Sequence, residues 1–177
     1  MWSALLAPGP SPALRRERLI SPDQDFIDID YGPAAQTSDS PLWVLFHGLE
    51  GSSRSHYARA ILDRACRLGW LGAVVHFRGC SGELNLRPRA YHSGDSEEID
   101  WILRRLHEAH PGRPLFATGV SLGGNALLRW AQEAGQQACG VVRSIAAVCA
   151  PIDLAASGHA MGTGFNRWTY TPMFCGP

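Results

Sequence analysis

The sequence has no surplus of charge of either sign. Its 177 residues carry 16 basic and 16 acidic side chains, so the formal net charge is zero. A nucleic-acid-binding protein usually shows a basic surplus or a basic stripe. The composition therefore argues against nucleic acid as a partner.

Cysteine pairs with metal-ligand spacing are also missing. No C-x-x-C pair occurs, and the cysteine count of five is odd. Scattered, unpaired thiols are typical of a reduced cytoplasmic protein rather than of a disulfide framework. We therefore expect no metal site and a cytoplasmic location. The five residues are Cys66, Cys80, Cys139, Cys149 and Cys175.

Long apolar runs are lacking as well. No run approaches the roughly 20 residues that a membrane-spanning helix needs. The opening MWSALLAPGP has no basic residue before its apolar part, which makes it a poor signal peptide. Neither G-x-G-x-x-G nor G-x-x-x-x-G-K-[ST] follows a candidate strand, so a nucleotide-binding domain is a weak alternative. These features predict a soluble protein with no membrane span.

The chain begins with a segment of loop-like composition and a predicted hairpin. Residues 1–14 are interpreted as a loose N-terminal arm, and residues 15–177 as one domain. The patterns at 15–20 and 26–32 predict two leading strands. The second contains FIDID, whose alternation of apolar and acidic residues predicts a strand with one solvent-facing side.

Beyond the hairpin, apolar segments alternate with helical patterns. PLWVLF, GAVVHF and PLFATGV predict three buried strands, and VVRSIAAVCAP predicts a fourth strand. Predicted helices run from a cap at Ser52 or Ser53 to Leu68, through HSGDSEEIDWILRRLHEAHPG, and through NALLRWAQEAG to Gly135. The tail after these elements starts as a helix or loop. This alternation predicts an α/β fold with a mostly parallel sheet flanked by helices.

The segment GVSLGG fits the pattern G-x-S-x-G of a nucleophile elbow. Gly119 and Gly123 stand where backbones must come close, with Ser121 between them. A predicted strand precedes this serine and a helix follows it, which is the context that the motif requires. Ser121 is therefore predicted to be a catalytic nucleophile. The alternative is a glycine-rich turn without chemistry.

Two further loops follow predicted strands, at the edge of a parallel sheet where ligands bind. In HGLEGSS, Gly48 lets the backbone bend and the amide of Leu49 is predicted to be one oxyanion-hole donor. The amide of Leu122, at a helix N-terminus, is the other. We interpret His47 as a residue that shapes the loop and not as the general base. The alternative is an ordinary loop between strand and helix.

The third loop, FRGCSGE, contains one charged and one nucleophilic side chain. Arg78 is interpreted as a brace between loops, with pairing to a carboxylate that shapes the site as the alternative. Cys80 has no base partner at a suitable spacing, so we expect it to be a bystander.

In this order and at these intervals, the motifs resemble the α/β-hydrolase fold, and more narrowly its YheT-like branch of esterases. The matching text is LFHGLEGSSRSHY, HFRGCSGELNLRPRAYHSGDSEEIDW and GVSLGGNALLRW, followed by PIDLAA. The resemblance implies a serine hydrolase that acts on carboxylic esters of short or medium acyl chains and needs no cofactor. Carried over, Ser121 is the nucleophile, and the amides of Leu49 and Leu122 form the oxyanion hole.

The resemblance does not extend to the other two triad members. In the family an acid and then a histidine follow later strands, so we expect a C-terminally incomplete α/β-hydrolase domain with the triad acid and base beyond Pro177. Asp153 and His159 have the right order, but are interpreted as a helix N-cap and a surface histidine. We therefore expect little activity from these 177 residues. The alternative function is a non-catalytic module that binds or assembles through an open sheet edge.

Overall fold

The computed structural model describes residues 12–33, 37–164 and 168. A single six-stranded sheet runs through them, with the strand order β1-β2-β4-β3-β5-β6. The strands are β1 (Arg15–Ile20), β2 (Phe26–Tyr31), β3 (Leu42–Phe46), β4 (Leu71–Val75), β5 (Leu115–Val120) and β6 (Ser144–Val148); the α-helices are α1 (His56–Arg67), α2 (Ser96–Ala109), α3 (Leu122–Ala134) and α4 (Leu154–Met161), with a 3₁₀ segment at Gly135–Gly140.

Parallel pairing dominates the sheet. Strands β1 and β2 form the predicted antiparallel hairpin, and β2 pairs antiparallel with β4. The pairs β3–β4, β3–β5 and β5–β6 are all parallel. The predicted α/β fold with a mostly parallel sheet is confirmed. The four parallel strands place their carboxyl ends, and the loops that follow them, along one edge.

Helices cover both faces of the sheet because successive strand side chains point to opposite sides. On one face, Val44 and Phe46 join the core formed with Ile102 of α2 and Trp130 of α3. On the other face, Leu45 packs with residues of α1 and β4. That smaller cluster consists of Leu45, Ala58, Leu62 and Val74.

The prediction of a solvent-facing side on β2 is wrong. Asp28 and Asp30 are buried, because arginines of β1 lie across them. Arg18 binds both carboxylate oxygens of Asp28 at 2.7 and 2.8 Å, and Arg16 binds those of Asp30 at 2.7 and 2.9 Å. Burial alone would raise the pKa of Asp30, but hydrogen bonds from Arg16, His76 and Ser53 hold it well below its usual range.

Two helices begin at positions other than those predicted. Helix α1 starts at His56, after Ser55, because Ser53 is buried and donates its hydroxyl to Asp30 Oδ2 at 2.6 Å. Helix α3 starts at Leu122, directly after Ser121, and not at Asn125. The second difference matters for the site, since the serine itself occupies the helix N-cap position.

The last described helix, α4, lies at the exposed end of the sheet. Its N-cap is Asp153, whose carboxylate accepts a hydrogen bond from the amide of Ala156 at 2.8 Å. The interpretation of Asp153 as an N-cap is confirmed. None of the helices in the described part of the chain is long and apolar enough to cross a membrane.

Candidate active site

Ser121 sits in a sharp turn between β5 and α3. Its φ of 52° and ψ of −117° lie in a region that non-glycine residues rarely adopt. Its amide donates to the carbonyl of Val148 at 2.8 Å, and its carbonyl accepts from the amide of Asn125 at 3.0 Å. Strained backbone of this kind persists only where its surroundings hold it, and it is concentrated at functional sites.

Two glycines make the turn possible by removing side chains from crowded positions. A Cβ at Gly119 would lie 2.6 Å from the Cα of Gly124. A Cβ at Gly123 would lie 2.5 Å from the carbonyl oxygen of Phe46. Helix α3 therefore packs directly against the ends of β3 and β5. This close approach is what fixes the serine at the edge of the sheet.

The loop after β3 lies beside the serine. A Cβ built on Gly48 would be 3.3 Å from the Cβ of Ser121. The buried imidazole of His47 shapes this loop: Nδ1 donates to the carbonyl of Gly48 at 2.7 Å, and Nε2 accepts from the amide of Phe77 at 3.1 Å. Burial lowers the pKa of His47 to about 4. With both nitrogens engaged within the protein, this histidine has no free atom to act as a base toward Ser121.

The structure brings the predicted nucleophile and both predicted oxyanion donors to one cavity. It has a volume of about 260 Å³ and an almost wholly apolar lining. Ser121, Leu49 and Leu122 all line it. Sequence reasoning missed the other four lining residues because they come from three separate segments. They are Ser93, Pro151, Leu154 and Met161.

Among the residues that the structure describes (12–33, 37–164 and 168), none is placed at the site as a general base. None of the hydrogen bonds within these ranges joins a histidine to the hydroxyl of Ser121. His159 is exposed on α4, where it was expected at the surface, and Asp153 is engaged as the cap of that helix. In the described part of the chain, Ser121 thus shares a cavity with the predicted donor residues Leu49 and Leu122, and no histidine bonds to its hydroxyl.

Arg78 acts as a brace, as predicted. Its buried guanidinium pairs with Asp23 and Asp25 at 2.9 Å and with Glu98 at 2.6 Å. Asp25 in turn accepts hydrogen bonds from the amides of Leu86 and Arg87 at 3.0 and 3.1 Å. The network therefore ties the β1–β2 turn to α2 and to the long loop after β4.

The thiol of Cys80 lies in this same long loop and is half-buried. Burial raises the pKa of Cys80, which makes its thiolate form scarcer and the side chain a poorer nucleophile. Cys80 therefore remains interpreted as a bystander. Cys66, Cys139 and Cys149 are also free, and Cys175 lies outside the described residues.

The order of strand, serine turn and helix, with a glycine loop beside it, is that of an α/β-hydrolase. A model of the α/β-hydrolase fold family matches residues 41–170. The chain belongs to this family. Residues 41–170 include β3, the serine turn and helices α1 to α4, so the match covers the whole of the site described above.

Two individual proteins of known name are similar to the chain in sequence. The chain is 43% identical over 152 residues to the inferred esterase YheT of Escherichia coli, covering 85% of this chain and 44% of YheT. It is 33% identical over 137 residues to medium-chain fatty acid ethyl ester synthase/esterase 2 of Saccharomyces cerevisiae, covering 75% of this chain and 29% of that protein. The chain spans less than half the length of these curated relatives.

Solved structures show the same fold. The esterase Pf2001 of Pyrococcus furiosus superposes with a TM-score of 0.67 at 17% identity, covering 90% of this chain and 61% of that one. A serine hydrolase homologue from Coxiella burnetii superposes with a TM-score of 0.61 at 16% identity, covering 79% of this chain and 64% of that one. At such identities the likeness concerns the fold alone.

Proposed function

We propose that this chain supplies the nucleophile and the oxyanion hole of a serine hydrolase that cleaves carboxylic esters. The observation that carries the proposal is the strained turn at Ser121, which faces the same apolar cavity as Leu49 and Leu122. A hydroxyl in such a turn, beside amides at a loop and a helix N-terminus, suits attack on a carbonyl carbon.

In the proposed reaction Ser121 Oγ bonds to the ester carbonyl carbon while its proton passes to a base. The carbonyl oxygen becomes an alkoxide, which the amides of Leu49 and Leu122 stabilise by hydrogen bonds. The alcohol then leaves with a proton, and water hydrolyses the resulting acyl-enzyme. In the family arrangement the base is a histidine that follows the later strands. With this base missing from the described residues, we expect these 177 residues to react slowly.

The cavity favours an apolar acyl group over a charged one. Among the described lining residues the polar side chains are Ser93 and Ser121, and Leu154 and Met161 contribute apolar surface. The yeast relative carries the name of a medium-chain ester synthase and esterase. We therefore propose short- or medium-chain acyl esters as the substrate class.

Labelling with a fluorophosphonate tests this function directly. We expect slow modification of the unmutated chain at Ser121, located by mass spectrometry, and none in Ser121→Ala. Loss of the triad partners leaves the contribution of the oxyanion hole and binding, about 10³–10⁴-fold over water. An unmodified wild-type chain, or equal labelling of Ser121→Ala, would rule the proposal out for these residues.

One observation favours the alternative, an assembly module. Strand β6 is largely exposed and, among the described strands, pairs only with β5. An unpaired strand edge is a template for pairing with another chain. Light scattering after size exclusion distinguishes the two functions: a monomer that is modified at Ser121 contradicts the alternative, whereas an oligomer with an unreactive serine supports it.

A further inference from the structure

Three consecutive amides in the loop after β3 have different partners. The amide of Gly48 donates to the phenol oxygen of Tyr57 at 3.0 Å. The amide of Glu50 donates to the phenol oxygen of Tyr91 at 3.0 Å. Between them, the amide of Leu49 has no hydrogen-bond partner in the part of the chain that the structure describes. Two phenols thus bind the outer amides and leave the middle one available.

The carbonyl of Gly48 shows where that free amide points. It accepts hydrogen bonds from His47 Nδ1 at 2.7 Å and from the amide of Gly51 at 3.0 Å. In a trans peptide the N–H lies opposite the C=O. The amide of Leu49 shares its peptide plane with this carbonyl, so anchoring the carbonyl on one side directs the N–H to the other.

Each tyrosine is itself held by an element outside the loop. Tyr57 belongs to the first turn of α1, which packs on the sheet through the neighbouring Ala58. Tyr91 lies in the loop after β4 and stacks on Phe77, with ring centroids 5.0 Å apart and 3° between the planes. The amide of Phe77 is in turn bound by His47. The phenols therefore reach the loop from two different elements, α1 and the loop after β4.

The backbone at Glu50 needs such support. Its φ is 52°, which is uncommon for a non-glycine residue. Tyr91 accepts from the Glu50 amide and also donates its hydroxyl proton to Glu50 Oε1 at 3.2 Å. A single phenol thus binds both the backbone and the side chain of the strained residue, which opposes rotation of the adjacent peptide plane.

We propose that Tyr57 and Tyr91 are positioning residues, which fix the peptide planes on either side of Leu49 so that its amide faces the oxygen of the substrate carbonyl. This inference rests on the proposed function of Ser121. Neither phenol touches the reacting atoms. Each acts through the loop backbone, so removing its hydroxyl loosens the Leu49 amide while leaving the serine and the cavity in place.

The test uses Tyr57→Phe and Tyr91→Phe, with Tyr31→Phe as the matched control. Tyr31 is a buried tyrosine at the opposite edge of the sheet, where its hydroxyl lies 3.4 Å from His110 Nε2. A fluorophosphonate forms a P–O bond to Ser121 Oγ and releases fluoride and the serine proton. Its phosphoryl oxygen occupies the oxyanion hole, so the maximal rate of modification reports how well the donors are placed.

For each loop variant we expect the maximal rate of modification to fall about 10- to 100-fold, with the reagent concentration at half-maximal rate unchanged. Tyr31→Phe should react as the unmutated chain does. A general loss of packing would instead affect all three variants and would lower their thermal stability together. Phenylalanine variants that react at the unmutated rate would overturn the inference.

Amide hydrogen exchange read by NMR tests the same geometry without any reaction. In the unmutated chain the amides of Gly48 and Glu50 should be protected and that of Leu49 should not. Tyr57→Phe should remove the exchange protection of the Gly48 amide only, and Tyr91→Phe that of the Glu50 amide only. If the serine fails to react but this pattern holds, the proposed function fails while the positioning geometry stands. Equal exchange at all three amides contradicts the inference outright.

Discussion

The two ends of the sheet are built very differently. At the β1–β2 end, carboxylates on β2 and in the turn before it are buried beneath arginines, and Arg78 alone engages three acidic side chains. At the β6 end, the strand and α4 contain no buried residue, although they lie next to the serine turn. Ser121 thus lies next to the exposed end of the sheet, and β3 and β4 separate it from the β1–β2 end.

This difference separates two requirements of the site. The backbone that aims Ser121 and the Leu49 amide depends on the well-packed β3, β4 and β5. The wall of the apolar cavity beside Ser121, which includes Leu154 and Met161, depends on the exposed end. We therefore expect damage to the buried strands β2 to β5 to unfold the chain, and damage at the β6 end to change mainly the cavity.

Removing the Arg78 guanidinium should have the largest effect. Arg78→Met leaves the carboxylates of Asp25 and Glu98 buried without their cation, and breaking a buried pair typically costs about 3–5 kcal/mol. The matched control is Arg105→Met, because Arg105 pairs with Glu108 at the surface, where such pairs contribute about 0–1 kcal/mol. Urea unfolding measures the free energy of unfolding of both variants. Similar losses in the two variants would contradict the contrast between buried and surface pairs.

Truncating one buried and one exposed isoleucine compares how much packing contributes to stability in the core and at the β6 end. Ile102 of α2 is fully buried in the main core, whereas Ile152, just before α4, is 89% exposed. Ile102→Ala should lower the free energy of unfolding by about 2–5 kcal/mol, and Ile152→Ala by no more than about 0.5 kcal/mol. A large loss from Ile152→Ala would show that the β6 end contributes more to stability than its exposure indicates.

Acid should lower the stability of the chain through His47, in the loop beside the serine. Burial lowers the pKa of His47 from 6.5 to about 4, so below pH 6.5 the unfolded chain binds a proton that the folded chain excludes. Stability is therefore full above pH 6.5 and is lost as the pH falls toward 4. Between about pH 7 and about pH 4.5 this loss amounts to about 2–3 kcal/mol. His110, whose pKa burial also lowers, acts in the same direction.

Unfolding of His47→Gln over the same range isolates this contribution. The free energy of unfolding of this variant should decrease much less on acidification than that of the unmutated chain. His107→Gln, on the exposed side of α2, should keep the full decrease. Asp23 and Asp25 do not interfere, because hydrogen bonds hold their pKa values at about 2 against the opposing effect of burial on Asp25. An unchanged pH dependence in His47→Gln would show that the histidine is not held neutral.

The sequence predicted the features that depend on local patterns. Alternating apolar segments gave the strand order along the chain, and G-x-S-x-G placed the turn at Ser121, because strand spacing and glycine tolerance are properties of a few adjacent residues. The role of His47 in shaping its loop also followed from its place beside Gly48. These parts of the site need no distant contact to be recognised.

Contacts between distant segments were not predictable in the same way. The alternation in FIDID indicates one polar side, but the burial of that side depends on Arg16 and Arg18 on the neighbouring strand. Likewise Tyr57 and Tyr91 have no local motif, and they become relevant only when α1 and the loop after β4 meet the loop after β3. Register and packing between elements decide such contacts.

The most direct test of the site is a crystal structure of the chain after reaction with a small fluorophosphonate. The proposed function predicts phosphorus bonded to Ser121 Oγ, with one phosphoryl oxygen about 2.7–3.1 Å from both the Leu49 and the Leu122 amide nitrogens. A phosphoryl oxygen directed away from those amides, or phosphorus bonded to any other residue, would contradict it.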